Sequence, residues 1–396
     1  MSIAHERKRH CVNLLRKKLK FSPIVSIQGP RQCGKSYLAQ NIVPQFEKHS
    51  EYKNLDLKEN RDFAQKNPNT FLSIHSGKPL IIDEVQKVPD LFDEMKGIVD
   101  EKRTPGRFLI LGSTEFSHET KIRESLTGRL SRIRMFPLGI AETKKFEMNE
   151  VSQFPFLQKK VRINRADLFK YLERGGFPGI FIVKNDQERR SLFEDWVRLT
   201  CERDIHQINK FKLDSALSYE ILAQLATLPE PNVANLAKEL RVTTRKIQNH
   251  ILALKMLFVI FEVAPLAGSA GKPLYYLCDP GLLTFFEASL ERKMLTWFYT
   301  ELIMQLSYKE QLPLQIQYYK SKTSSPVHFI IEQKKKLLAA KMTLSESYDK
   351  RDFAIFQSFQ KKYSQKYESI ECYGFYGGKT QIRLPDYVLS PWEQIV

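Results

Sequence analysis

The stretch "IVSIQGPRQCGKSYLAQNIVP", residues 24–44, constrains this chain more than any other. An apolar run leads into a loop bounded by Gly29 and Gly34, and a helical pattern leaves from Lys35 until Pro44 stops it. A short, wholly apolar strand feeding a helix through a glycine loop belongs to a parallel sheet covered by helices on both faces. The two glycines let the backbone curl so that successive N–H groups converge, and the following helix start adds partial positive charge. Such a cradle suits phosphate oxygens. The spacing therefore predicts that Gly29, Pro30, Arg31, Gln32, Cys33, Gly34, Lys35, Ser36 and Tyr37 surround the phosphates of ATP. Lys35 is expected to reach the β- and γ-phosphates, and the Ser36 hydroxyl to bind Mg²⁺.

Two further strands complete the pattern. "PLIIDEVQ" ends an apolar run in Asp83 and Glu84, which at the C-terminal edge of a parallel sheet face the same crevice as the loop. Asp83 suits a metal-linked role, and Glu84 suits polarisation of an attacking water. "RFLILGSTEF" ends in Ser113, Thr114 and Glu115. Of these, Thr114 is the expected polar group near the γ-phosphate. Arg129 is the candidate cation for the transition state, in its own subunit or a neighbour's, with a plain surface arginine as the alternative.

The net charge of +17 fits either a polyanionic partner or a lysine-rich proteome. Basic residues crowd positions 7–20, where Val12, Leu15 and Leu19 recur at helical spacing. Charges interrupt that stretch, so it is not read as a signal peptide. No apolar run approaches the roughly 18 residues of a membrane span. The 5 cysteines are odd in number and never in CxxC spacing. A reducing cytoplasm is the expected setting.

The texture changes along the chain. Residues 1–150 read as the phosphate-binding α/β domain, 151–215 as a helical lid or linker, 216–271 as a winged-helix-like unit, and 272–396 as a smaller α/β module. "PNVANLAKELRVTTRKIQNHILALKMLFVI" reads as two helices about a turn at Arg241–Val242. Arg245, Lys246, Gln248, Asn249 and His250 in the second helix are residue types that meet bases or phosphates. Packing without DNA contact is the alternative.

"GPRQCGKS", "IIDEVQKVPDLF", "LILGSTEF" and "ERGGFPGIF" together resemble the bacterial and archaeal AAA-type ATP-binding proteins that carry a C-terminal domain of unknown function. "LTCERDIHQI" and "YYLCDPGLLTFF" resemble further family segments. The resemblance implies an additional-strand, catalytic-glutamate ATPase, a winged-helix segment, and in many members a restriction-endonuclease-like end. In that end, Leu295, His328 and Ala339 occupy the positions where carboxylates are expected, and only Lys341 remains. Without those acids a divalent metal has little to bind, so a nuclease-like shell lacking nuclease activity is expected. Glu332 and Glu346 are the acids available to compensate. The combined reading is an Mg-dependent ATPase that couples its nucleotide state to nucleic acid or a protein partner, with an oligomer possible. The alternative is a slow nucleotide-dependent switch or scaffold that involves no nucleic acid.

Overall fold

The computed structural model describes residues 8–74, 79–115, 126–146, 163–208, 211–310, 315–321 and 325–395. The expected boundary at 150/151 and the basic residue at position 7 lie outside them. Helix α1, Cys11–Leu19, precedes a five-stranded sheet. Its strands are β1 (Ile24–Gln28), β2 (Glu51–Asn54), β3 (Leu80–Asp83), β4 (Phe108–Gly112) and β5 (Leu130–Arg134), in the order β2-β3-β4-β1-β5. Every pairing is parallel.

β1, β3 and β4 are buried along their whole length. Their apolar runs serve two cores at once. Val25, Ile27, Ile81, Leu109 and Leu111 pack on one face with α1 and the helix after the loop. Ile24, Leu80, Ile82, Phe108 and Ile110 pack on the other with Phe71, Phe92 and Met95, the last two on α2, Asp90–Glu101. Each such side chain contributes about 1.5–3 kcal/mol by leaving water, so the central strands cannot turn polar without cost to one face. The register Gln28↔Gly112 brings the C-terminal ends of β1 and β4 level. The residues that follow these strands therefore share one edge of the sheet.

Beyond the sheet lie α3 (Arg165–Arg174) and α4 (Asp186–Leu199), the latter running on as a π-helical turn over Thr200–Asp204. α3 stops at Gly175, whose φ of +66° would strain any other residue. Gly176 accepts the N–H of Leu138 at 2.7 Å and donates to Asp279 at 2.5 Å. A Cβ at Gly176 would come within 2.2 Å of the Leu138 carbonyl, so the close approach of the two regions requires glycine here.

α5 (Ser215–Thr227), α6 (Val233–Glu239) and α7 (Thr244–Met256) lead into an antiparallel hairpin of β6 (Ile260–Pro265) and β7 (Leu274–Leu277). The expected module boundary at 271/272 falls between the two strands of this hairpin. β6 also pairs in parallel with β8 (Ile316–Tyr319). α8 (Leu290–Tyr308), β8, β9 (Val327–Gln333), β10 (Lys336–Met342), α9 (Ile355–Tyr363) and β11 (Ser369–Tyr376) then form the C-terminal α/β layer with β12 (Ile382–Arg383) and β13 (Val388–Pro391). Hairpin and layer make one eight-stranded sheet, ordered β12-β13-β11-β10-β9-β8-β6-β7. Among the described residues no helix is long and apolar enough to cross a membrane.

α8 also packs against the first sheet. Its Glu301 is buried, accepting the Ile140 N–H at 3.3 Å and the Gln305 amide at 3.2 Å. Burial raises its carboxyl from 4.5 to about 7, more than these hydrogen bonds lower it. A carboxyl raised in the fold loses stability as pH climbs from its unfolded value through its folded one. Glu301→Gln should therefore gain stability over the parent by about 1–3 kcal/mol between pH 4.5 and pH 7, read by denaturant melts across that range. A flat difference between the two proteins would refute the titration.

Candidate nucleotide site

The loop between β1 and its helix takes its shape from two left-handed residues, Gln32 (φ 61°) and Gly34 (φ +100°). A Cβ on Gly29 would meet the Met135 carbonyl at 2.0 Å, so only glycine lets the loop pass β5's end. Lys35 is buried and its Nζ donates to the Gly29 and Pro30 carbonyls, each at 2.9 Å. Ser36 Oγ donates to Asp83 Oδ2 at 2.6 Å, and the Tyr52 hydroxyl donates to the same oxygen at 2.6 Å. The Glu84 N–H caps the other Asp83 oxygen at 3.0 Å. Asp83 is thus oriented by three donors.

Glu84 adopts the left-handed region, φ 55° and ψ 43°, an uncommon conformation for a non-glycine residue. Its carboxylate accepts from Gln86 and, at 3.2 Å, from Ser113. Burial pushes the Glu84 carboxyl up from its usual range, opposed by the nearby Lys35 ammonium. That is the direction that makes a carboxylate a better proton acceptor near neutrality.

A cavity of about 640 Å³ unites these groups. Arg31, Gln32, Gly34, Lys35, Ser36, Tyr37, Glu84 and Ser113 line it. Pro30 and Gly29 contribute the carbonyls under Lys35 rather than lining. The Cys33 side chain is buried in the apolar core, so its thiol is not a phosphate contact.

Two expected site residues fall elsewhere. Thr114 is buried away from the cavity, with its carbonyl accepting from Gln28 Nε2 at 2.9 Å, and Ser113 takes the polar position beside Glu84. Side chains alternate sides in extended chain, so a one-residue error puts the hydroxyl on the wrong face. Arg129 enters β5 at the opposite edge of the sheet, where its carbonyl accepts the N–H of Ile24. Its guanidinium grips Asp100 in a two-pronged contact of 2.6 and 2.8 Å. Within its own chain it does not reach the cavity.

The cation that sequence reasoning missed is Arg203, which lines the cavity from the π-helical turn after α4. Asp204 beside it accepts from Arg203 Nε at 3.1 Å and from Arg31 Nη1 at 3.0 and 3.2 Å. Burial raises the Asp204 carboxyl, opposed by Arg203. Trp196 on α4 donates its indole N–H to the Arg31 carbonyl at 3.2 Å. "CERD" lies within a segment already singled out by resemblance, and that was the available signal.

Residues 21–144 match the AAA domain family, and residues 165–292 match a domain of unknown function (DUF8612). The five-stranded parallel sheet thus lies in the segment similar to an AAA domain, and the segment similar to the second domain follows it. Uncharacterized proteins of Mycobacterium bovis and Mycobacterium tuberculosis are each 27% identical over 284 residues, 70% of this chain. The matched region is 58% of those relatives' length. The Walker-type ATPase of Pyrococcus abyssi is similar with a TM-score of 0.43 and 11% identity, covering 72% of this chain and 96% of that one. A Thermotoga maritima RuvB Holliday junction branch migration motor gives 0.30 and 16%, covering 64% and 88%.

Arg129→Ala should leave the melting temperature close to the parent's, since its pair with Asp100 is exposed. Nucleoside triphosphate turnover should be unaltered by it. A large fall in turnover, measured as phosphate release, would return Arg129 to the site through a neighbouring subunit.

Proposed function

We propose that this protein binds and hydrolyses ATP with Mg²⁺, and that the nucleotide state moves its second domain. One observation carries the reading: Lys35, the Ser36–Asp83 pair and Glu84 converge at the C-terminal edge of a parallel sheet. The hydroxyl and carboxylate, 2.6 Å apart and oriented by Tyr52, are the hard oxygen donors that Mg²⁺ prefers. Ser36 and Asp83 would hold the ion there, and it would supply positive charge to the phosphates. Lys35 holds the phosphates, while the loop N–H groups and the helix start orient them. Glu84, held by Gln86 and Ser113, accepts the proton of the attacking water. Arg203 takes the role first given to Arg129, supplying positive charge from within the same chain.

α5, α6, α7 and the β6–β7 hairpin follow the order of a winged helix. In α7, Arg245, Lys246 and Gln248 are exposed and Asn249 is half-buried. These support nucleic-acid contact through that face. His250 does not belong to it. The ring is buried, accepting the Asp214 N–H at Nε2 and facing the Lys246 carbonyl with Nδ1. In the C-terminal layer Glu332 accepts from Tyr367 and Glu346 pairs with Arg165. Among the described residues no cluster of three metal-ligating side chains occurs.

Lys35→Ala should abolish binding of MgATP measured by calorimetry. Glu84→Gln should keep the affinity and slow hydrolysis by about 10²–10⁴. Arg203→Ala should slow it by about 10². Equal hydrolysis by wild type and Glu84→Gln would remove Glu84 from its role. Retention on duplex and single-stranded DNA, at two salt concentrations and with or without ATP, tests the partner. Arg245→Ala with Lys246→Ala should lower the salt slope by about 2 if both meet phosphates. Indifference to polymer and nucleotide would favour the protein-switch reading.

A further inference from the structure

A second cavity, of about 480 Å³, opens where α8 and β7 meet β8, β9 and β10. This is ordinary small-ligand size. Three nitrogen-bearing side chains that line it are almost wholly buried: Arg292 at 3% exposure, Lys341 at 4% and His328 at 7%. Lys341 Nζ donates to Ser325 Oγ at 2.7 Å and the Pro326 carbonyl at 3.1 Å, both uncharged acceptors. Arg292 donates to the Leu225 and Tyr275 carbonyls at 2.9 and 3.2 Å, with its guanidinium over the Tyr276 ring. Neither cation has a carboxylate within ion-pair distance among the described residues.

His328 extends the same imbalance. The Met342 N–H donates to its Nδ1 at 3.0 Å, so the proton of the neutral ring sits on Nε2. That Nε2–H has no hydrogen-bond partner among the described residues. Burial beside Lys341 lowers the ring to about 3, which keeps it neutral. Three carboxylates also border the cavity, and each is more exposed or otherwise engaged. Glu230 is tied to Lys320, Glu291 is exposed, and the half-buried Asp352 accepts from Thr343 at 3.4 Å.

Buried charges ordinarily have a partner. The Lys341 ammonium on β10 and the Arg292 guanidinium on α8, with the unused His328 N–H on β9 lining the same cavity, have no carboxylate at ion-pair distance among the described residues. We propose that this cavity binds a small phosphate-bearing anion, held by Lys341, the His328 Nε2–H and the Ser325 hydroxyl. Inorganic phosphate and the head of a nucleoside monophosphate present the same oxygens to these donors. This site is separate from the ATP reading and stands or falls without it.

The test uses the full chain carrying Lys35→Ala, so that the first loop does not compete for phosphate. Calorimetric titration with inorganic phosphate, and separately with adenosine 5′-monophosphate, should show saturable binding of at least one. Adding Lys341→Met should weaken that binding at least tenfold. Without ligand, the Lys341→Met protein should melt no lower than its parent, because an ammonium lacking a counter-charge is removed from the interior. It should also lose the rise in Tm that phosphate gives the parent. Tighter binding of the nucleotide would identify it as the source of the phosphate, and equal or tighter binding of the free ion would identify that instead. Absence of saturable binding of both anions, or equal affinity with and without Lys341, would overturn the proposal.

Discussion

Arg9 carries a permanent charge almost completely out of water, and the nucleotide loop is built against it. Its Nη1 donates to the Cys33 carbonyl at 2.7 Å and its Nη2 to the Phe136 carbonyl at 2.6 Å. Its Nε lies 3.4 Å from Glu142, an electrostatic contact rather than a hydrogen bond. Glu142 in turn collects the N–H groups of His10 and Gly139. One guanidinium thus fastens the segment before α1, the middle of the loop and the exit of β5. Desolvating such a pair costs several kcal/mol, and removing either partner costs about 3–5 kcal/mol more. The curvature that aims the loop's amides depends on that pair staying whole.

From the loop, the contacts run outward into the second domain. Arg31 is held by Asp204 and, through its carbonyl, by Trp196, whose ring packs 4.9 Å from Phe177. Leu138, Gly176 and Asp279 form a second tie, with Asp279 accepting two backbone N–H groups. Burial lifts the Asp279 carboxyl to about 7 against those hydrogen bonds. A change in how Arg31 and Arg203 share Asp204 is therefore felt directly by α4 and its π-helical turn. Few physical links separate a phosphate from the far half of the molecule.

The legible parts were local. β1, β3 and β4 announce themselves as apolar runs because both their faces are covered; Lys35 and Ser36 follow β1 across one short loop, Asp83 ends β3 and Glu84 comes next. β2, "EYKN", is half-buried along its length and carries no such signal. β5, "LSRIR", likewise mixes charge with apolar positions. Thr114 and Ser113 differ only in the phase of a strand end, which spacing does not resolve. Arg203 lies far along the chain from the loop it faces, and its place at the cavity is set by packing alone. The joining of the hairpin to the C-terminal strands depends on pairing Ala264 with Gln317, a contact between distant segments.

That joining has a mechanical consequence. β6 is stitched to β7 on one side and to β8 on the other, so a torque applied to the hairpin passes into the far layer as shear along shared backbone ribs. The β6–β8 seam is short, with Ala264↔Gln317 and Pro265↔Tyr318 in register and the Leu266 N–H reaching the Tyr318 carbonyl at 2.8 Å. While it holds, hairpin and layer share one backbone-bonded sheet, and α8 ties that sheet back to the first through Glu301 and the Ile140 N–H.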